Sequence, residues 1–292
     1  MGKKSLPGTI LISGGTMGLG NSISKHFVTK GHDVVICSRS PKDIEESRRN
    51  LERISNANQQ ILGIVCDVSS EESVFDLWNS LEKREIRIST LICNAGVLGP
   101  IGNFLDNKKS EWEISTSINL FGVANLIRVF LPSMIDVGIG RVIHISGGGA
   151  TKALMAMSSY AASKTAAVRL IETLAIEYEG CGVTFNSIAP GIIKSRILDE
   201  MLAAGEKVIG NNLHKRSIER KLSTMDSTTF AINLIEFLST HDSQGINGKL
   251  ISAEWDDWRS WVKHEGLLRE SDVYTLRRII GRDRGHKWGD KI

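Results

Sequence analysis

Seven short runs rich in β-branched and other apolar residues recur along the chain: Thr9–Ser13, Asp33–Cys37, Ile61–Cys66, Ile88–Asn94, Arg141–Ser146, Thr184–Ala189 and Lys249–Ile251. Longer stretches with helical apolar patterns separate them. Apolar runs of strand length belong to strands buried on both faces, and helix-length spacers supply the crossovers that parallel strands need. The expected fold is therefore α/β, a doubly wound parallel sheet. No internal repeat or low-complexity linker interrupts it. A single domain spanning residues 1–252 is expected, followed by an extension over residues 253–292 that the alternation does not need.

The chain has 292 residues, 41% hydrophobic and 24% charged, the composition of a soluble globular protein. Its net charge of +3 is spread over 36 basic and 33 acidic residues, without a like-charged block. Nothing therefore points to a nucleic-acid or membrane partner. Cys37, Cys66, Cys93 and Cys181 lie far apart with no C-x-x-C spacing, which argues for free thiols over disulfides or a metal site. The N-terminal MGKKSLPG lacks the apolar core of a signal peptide, and no run reaches the ~18 apolar residues of a membrane span. A cytoplasmic location is expected.

The first apolar run leads into ISGGTMGLGNS, Ile12 to Ser22, and then a helical pattern. A glycine-rich turn between strand and helix gathers unpaired N–H groups and the positive end of a helix dipole, which suits a pyrophosphate. Gly14, Gly18 and Gly20 also let the backbone approach a ligand without a Cβ in between. A tight turn can use glycine for structural reasons alone, so this stretch is weak by itself.

Further landmarks strengthen it. Ser13-Gly-Gly-Thr-Met-Gly-Leu-Gly20 resembles the T-G-x-x-x-G-x-G loop of the short-chain dehydrogenase/reductase family, with Ser for Thr. Cys66-Asp67-Val68, Cys93-Asn94-Ala95-Gly96, Asn119 in Ile-Asn-Leu-Phe-Gly, Tyr160-Ala-Ala-Ser-Lys164 and Ala189-Pro190-Gly191 continue the resemblance in order, over roughly residues 8–251. It implies a Rossmann-type fold and an NAD(P)-dependent oxidoreductase. Cofactor contacts then fall to Gly14, Thr16, Met17, Gly18, Leu19 and Gly20, to Asp67 and Val68 beside the adenine, and to Asn94, Ala95 and Gly96. By the same resemblance Lys164 binds the nicotinamide ribose, Asn119 holds a relay water, Pro190 and Gly191 flank the nicotinamide, and Ser195 meets its carboxamide.

Tyr160 and Lys164, four apart on a predicted helix, share a face. An ammonium there is expected to lower the phenol's pKa from ~10 and suit it to proton exchange with a carbinol or carbonyl oxygen. A packed tyrosine with a solvated lysine is the plain alternative. One departure concerns the substrate-orienting serine, whose usual position is Gly147 here; Ser146, one residue early, is expected to serve if the run Gly147-Gly148-Gly149 lets the backbone twist. Gly147→Ser is expected to restore part of the activity that Ser146→Ala loses.

At the end of the second strand Ser38 and Arg39 stand where a ribose-binding carboxylate would exclude a 2′-phosphate, so NADP is expected over NAD. The segment from Ile192 to about Met225 should cover a small-molecule substrate, and its Arg196, Lys207, His214, Lys215, Arg216, Arg220 and Lys221 suit an anionic one. A solvated helical face, with Glu200, Glu206 and Glu219 interspersed, is the other reading.

Four of the six tryptophans, Trp255, Trp258, Trp261 and Trp288, lie in the extension. They are expected to be largely buried, either in a homodimer or homotetramer interface or as a lid over the subunit's own active site. Residues 254–272 carry six acids against three bases and residues 273–292 six bases against two acids, compatible with self-complementary docking. Three readings follow: an NADP-dependent oxidoreductase of secondary alcohols or ketones, a sugar or sugar-nucleotide oxidoreductase or epimerase of surface-polysaccharide metabolism, and a dinucleotide-binding sensor with weak catalysis.

Overall fold

The computed structural model describes residue 6, residues 8–224 and residues 227–286. Its elements run β1 (Thr9–Ser13), α1 (Gly18–Thr29), β2 (Val34–Ser38), α2 (Pro41–Glu52), β3 (Ile61–Val65), α3 (Glu71–Glu82), β4 (Ile88–Cys93) and α4 (Lys109–Thr116). After a π-helical turn at Ser117–Phe121 come α5 (Gly122–Val137), β5 (Gly140–Ile145), α6 (Ser158–Glu177), β6 (Val183–Ala189), α7 (Arg196–Ala204), α8 (Glu206–Ile209) and α9 (Asn211–Leu222). Next are α10 (Ser227–Leu238), β7 (Lys249–Ser252) and, past a 3₁₀ segment at Trp258–His264, α11 (Glu265–Glu270).

The strands form one parallel sheet in the order β3-β2-β1-β4-β5-β6-β7. All seven expected runs are strands, with shifts at the ends. β2 and β5 shift at both ends: β2 starts one residue late and takes in Ser38, which pairs with Val65, and β5 starts and ends one residue early. Alternation sorts the apolar side chains to two faces. Ile10, Ile12, Val34 and Ile36 meet α1, α2 and α10 on one side, whereas Leu11, Val35, Leu91 and Val142 meet α3, α5 and α6 on the other. Ser40 and Ser70 cap α2 and α3 through their hydroxyls, fixing where those helices start.

Within the helical run Lys109–Val137 an 18-residue window has a mean hydropathy of 1.6, so that by length and composition alone the run could cross a membrane, where the sequence led to the expectation of no such span. Half of that window is buried within the fold, and Val123, Leu126, Ile127 and Phe130 are spent on the core. Strand order reverses between β1 and β4, and in such sheets the carboxyl ends of the strands at the reversal open a crevice.

Candidate active site

The crevice begins at the glycine turn. Ser13 Oγ, at the end of β1, accepts from the N–H groups of Asn94 and Ala95 at 3.0 and 3.1 Å. Asn94 returns its Nδ2 to the carbonyls of Ser13 and Gly14 at 2.9 and 3.1 Å. The glycine turn and the Asn94-Ala95-Gly96 turn are thus one braced unit, and serine serves because only the hydroxyl is needed. Gly14 and Gly18 have φ of +64° and +51°, and a Cβ on Gly20 would lie 2.1 Å from the Gly14 carbonyl oxygen. No side chain caps α1 and its first turn holds no acid, so its leading N–H groups face an anion unopposed. These features fit the pyrophosphate of a dinucleotide.

A cavity of about 890 Å³ runs from this turn across the ends of β2, β3, β4 and β5 to the extension. All the site residues read from the sequence border it except Asn119. At the adenosine end, Arg39 is exposed with no ion pair among the described residues, and Ser38 Oγ accepts from the Ser40 N–H at 3.4 Å. Asp67 spends Oδ1 on the N–H and hydroxyl of Ser69, at 3.0 and 2.6 Å. Asp43 borders the same end. It was not singled out because, in the sequence, it reads as an ordinary first-turn helix acid.

Asn119 lies behind the cavity on the π-helical turn, wholly buried. Its Oδ1 accepts from the Val97 N–H and its Nδ2 donates to the Val97 carbonyl, both at 2.9 Å, with a further bond to Ser163 Oγ at 3.1 Å. Its side chain therefore ties the loop after Gly96 to α6. Ser195 caps the entry to α7, and its Cβ is 3.8 Å from where one on Gly18 would stand, so the far wall meets the glycine turn.

At the other end, α6 brings Tyr160 and Lys164 under the tip of β5. Lys164 is buried and donates to the Ile145 carbonyl at 2.7 Å; burial pulls its ammonium down to about 8. Burial also pushes the Tyr160 phenol up to about 12. The expected lowering of the phenol by Lys164 is therefore absent: loss of solvent outweighs the ammonium, whose own charge is disfavoured in the same dry site. Cys93 is likewise raised, to about 12, by burial.

Gly147 explains the shifted serine. A Cβ there would lie 2.4 Å from Tyr160 Oη, so the phenol hydroxyl occupies the space of the missing side chain. A serine at Gly147 would require the phenol to shift, a cost that the expected rescue by Gly147→Ser has to meet. Ser146 is buried beside it, its Oγ lying beneath the cavity surface without a hydrogen-bond partner among the described residues.

The profile of the family described as short chain dehydrogenase matches residues 8–205. The chain belongs to the short-chain dehydrogenase family. Oxidoreductase UcpA of Escherichia coli (strain K12) is 30% identical over 194 residues, covering 66% of this chain and 72% of that protein. Dehydrogenase/reductase SDR family member 4 of Mus musculus is 27% identical over 241 residues, covering 82% and 84%. The crystal structure of levodione reductase superposes with a TM-score of 0.77 at 25% identity, over 88% of this chain and 99% of that one. The protein is thus a Rossmann-type, NAD(P)-dependent oxidoreductase.

In this short-chain dehydrogenase the helices after Gly191 carry the expected cations, and three of the seven are paired with acids. Arg196 pairs with Glu200 at 3.2 Å, Lys221 with Asp199, and Arg220 with Glu254 at 2.8 Å. Arg196, Arg216 and Arg220 border the cavity, whereas Lys207, His214 and Lys215 do not. Met225 lies outside the described residues. Asp199 and Glu254, the partners of Lys221 and Arg220, lie 22 and 34 residues away in sequence, whereas Glu200 is four residues from Arg196.

The extension folds back on its own subunit. Trp258 packs on Phe237 and Trp261 on Tyr274, and both indoles are buried. Arg277 pairs with Asp272 and Asp283 inside the extension at 3.2 and 3.0 Å, which gives the charge asymmetry an internal use. Trp255, expected to be buried, is 76% exposed and lines the cavity with Glu254 and Asp256. Trp288 lies outside the described residues. Sequence reasoning missed Glu254 and Asp256, for which the flanking tryptophans were the only signal.

Proposed function

We propose that the chain moves a hydride between NADP(H) and a secondary alcohol or ketone, with Tyr160 as acid/base. The carrying observation is that one cavity joins the uncapped glycine cradle to the half-buried Tyr160 and the buried Lys164. A nicotinamide bound there supplies or accepts the hydride. Tyr160 Oη then gives the proton to, or takes it from, the substrate oxygen. Lys164 stands below to hold the ribose and relay that proton, and Asn119 fixes the turn behind them through its bonds to Val97 and Ser163.

Choice of NADP over NAD is supported by the unpaired Arg39 and the absence of a carboxylate at Ser38. Asp43 on the same rim is the acceptor that NAD would use instead. A cytoplasmic homodimer or homotetramer, with a small-molecule substrate and neither nucleic-acid nor membrane partners, completes the reading; light scattering of the full chain and of one ending at Ser252 tests whether the extension serves the assembly.

Ser146 is assigned the second contact to the substrate oxygen, reached by rotation of its hydroxyl from beneath the cavity surface. Ser146→Ala should lower kcat/KM by about 10²-fold, the scale of one oxyanion-type donor. Gly147→Ser should lower it comparably rather than rescue it, because a phenol moved by about 1 Å loses alignment. Steady-state NADPH consumption checks both. An unchanged rate in Ser146→Ala removes Ser146 from the reaction and leaves the oxygen to Tyr160.

A further inference from the structure

The wall of the cavity beyond Tyr160 is completed by the extension. Glu254 is fixed by Arg220, which donates to Oε1 at 2.8 Å, and both side chains are mostly buried. Its other oxygen, Oε2, has no partner among the described residues and stands over the Pro190–Gly191 turn, 2.7 Å from where a Cβ on Gly191 would be. Asp256 spends Oδ2 on the Ser252 N–H at 2.7 Å and leaves Oδ1 open. Between these two carboxylates in sequence, Trp255 holds an exposed indole on the same cavity. Across the site Leu98, Met157, Leu198 and Met201 form an apolar cluster.

Three ligand chemistries meet this wall differently. A purely apolar ketone would strip water from two carboxylates and return no hydrogen bond. A phosphate-bearing ligand would face both carboxylates on this wall, with Arg220 committed to Glu254, Arg196 to Glu200, and Arg216 left, of the cavity-lining arginines after Gly191, with no ion pair among the described residues to offset them. A neutral polyhydroxylated ligand donates O–H groups to each free carboxylate oxygen and lays a C–H face on the indole, its other face against the apolar cluster.

We propose that the extension selects a neutral polyhydroxylated substrate, a polyol or an aldose, with hydroxyls flanking the reacting carbinol held by Glu254 and Asp256 and its C–H face on Trp255. This rests on the NADP(H) reading above. In the oxidative direction the carbinol carbon loses two electrons: its hydrogen leaves as hydride to NADP⁺, giving NADPH, and the O–H proton passes to the Tyr160 phenolate, formed when the phenol has first released its own proton to solvent, as the C=O bond forms.

The test uses the full-length protein. NADP⁺ binding is measured first; then xylitol, sorbitol and galactose are compared with cyclohexanol for NADPH formation and for quenching of tryptophan fluorescence, in wild type, W255A, W255F and E254Q. Melting temperature and NADP⁺ affinity verify that each variant is folded. At least one polyol or aldose should be preferred to cyclohexanol, with KM raised at least tenfold in W255A and E254Q, kcat changed much less, and W255F recovering most of the loss. Turnover confined to cyclohexanol, or a polyol KM that neither variant moves, overturns the proposal while leaving the nicotinamide reading intact. A W255A variant that changes mass in light scattering with KM unmoved overturns it too, since the indole then covers a second subunit. Failure of wild type to bind NADP⁺ overturns the nicotinamide reading itself and this proposal with it.

Discussion

Tyr160→Phe should lower turnover by about 10²–10⁴-fold, the range for losing a positioned proton donor, while affinity for NADPH stays within about threefold of wild type. The phenol sits at the tip of β5 against Gly147, so removing its hydroxyl leaves the ring and the fold in place. Because burial raises the phenol to about 12, the proton-donating form dominates at neutral pH. Single-turnover NADPH oxidation paired with calorimetric NADPH titration checks the split. Activity within tenfold of wild type would show that another group handles the proton.

Lys164→Met should abolish turnover and yet stabilise the protein. Burial holds the ammonium at about 8, below its ordinary 10.5, so the folded state disfavours the charged form. Between those two values the unfolded chain binds more proton than the folded one, and stability rises with pH across that window. Below pH 8 the full penalty applies, on the order of 3 kcal/mol at 1.36 kcal/mol per unit. Losing the bond to the Ile145 carbonyl takes back about 1 kcal/mol, leaving a gain of about 2 kcal/mol at pH 7. Urea melts should show the variant more stable at pH 7, the two proteins equal at about pH 10, and wild type the more stable above it by about the 1 kcal/mol of the lost bond. A variant less stable than wild type at pH 7 would show that the ammonium is well solvated where it lies.

The parts of the site legible in the sequence are those held by local or periodic rules. Seven apolar runs became seven strands, and the glycines of ISGGTMGLGNS, Asn94 and the Tyr160–Lys164 face met at one crevice because strand-to-helix turns in a parallel sheet all open at the same edge. What was not legible depends on long-range packing. The phenol's raised pKa reflects burial that a four-residue spacing cannot report. The lid's cations looked free until Asp199 and Glu254 were found beside Lys221 and Arg220. Trp255 looked like its buried neighbours, but a 3₁₀ segment beginning at Trp258 turns those two indoles inward and leaves Trp255 on the cavity.

Whether this is an NADP(H) site is decided by titrating NADPH and NADH against wild type and Arg39→Ala. A charge-assisted contact of ~1.5–3 kcal/mol predicts NADPH at least about tenfold tighter than NADH in wild type, and near-equal affinities once Arg39 is truncated. Equal affinities in wild type would contradict the account at its adenosine end and assign the ribose hydroxyls to Asp43; no binding of either would contradict it outright.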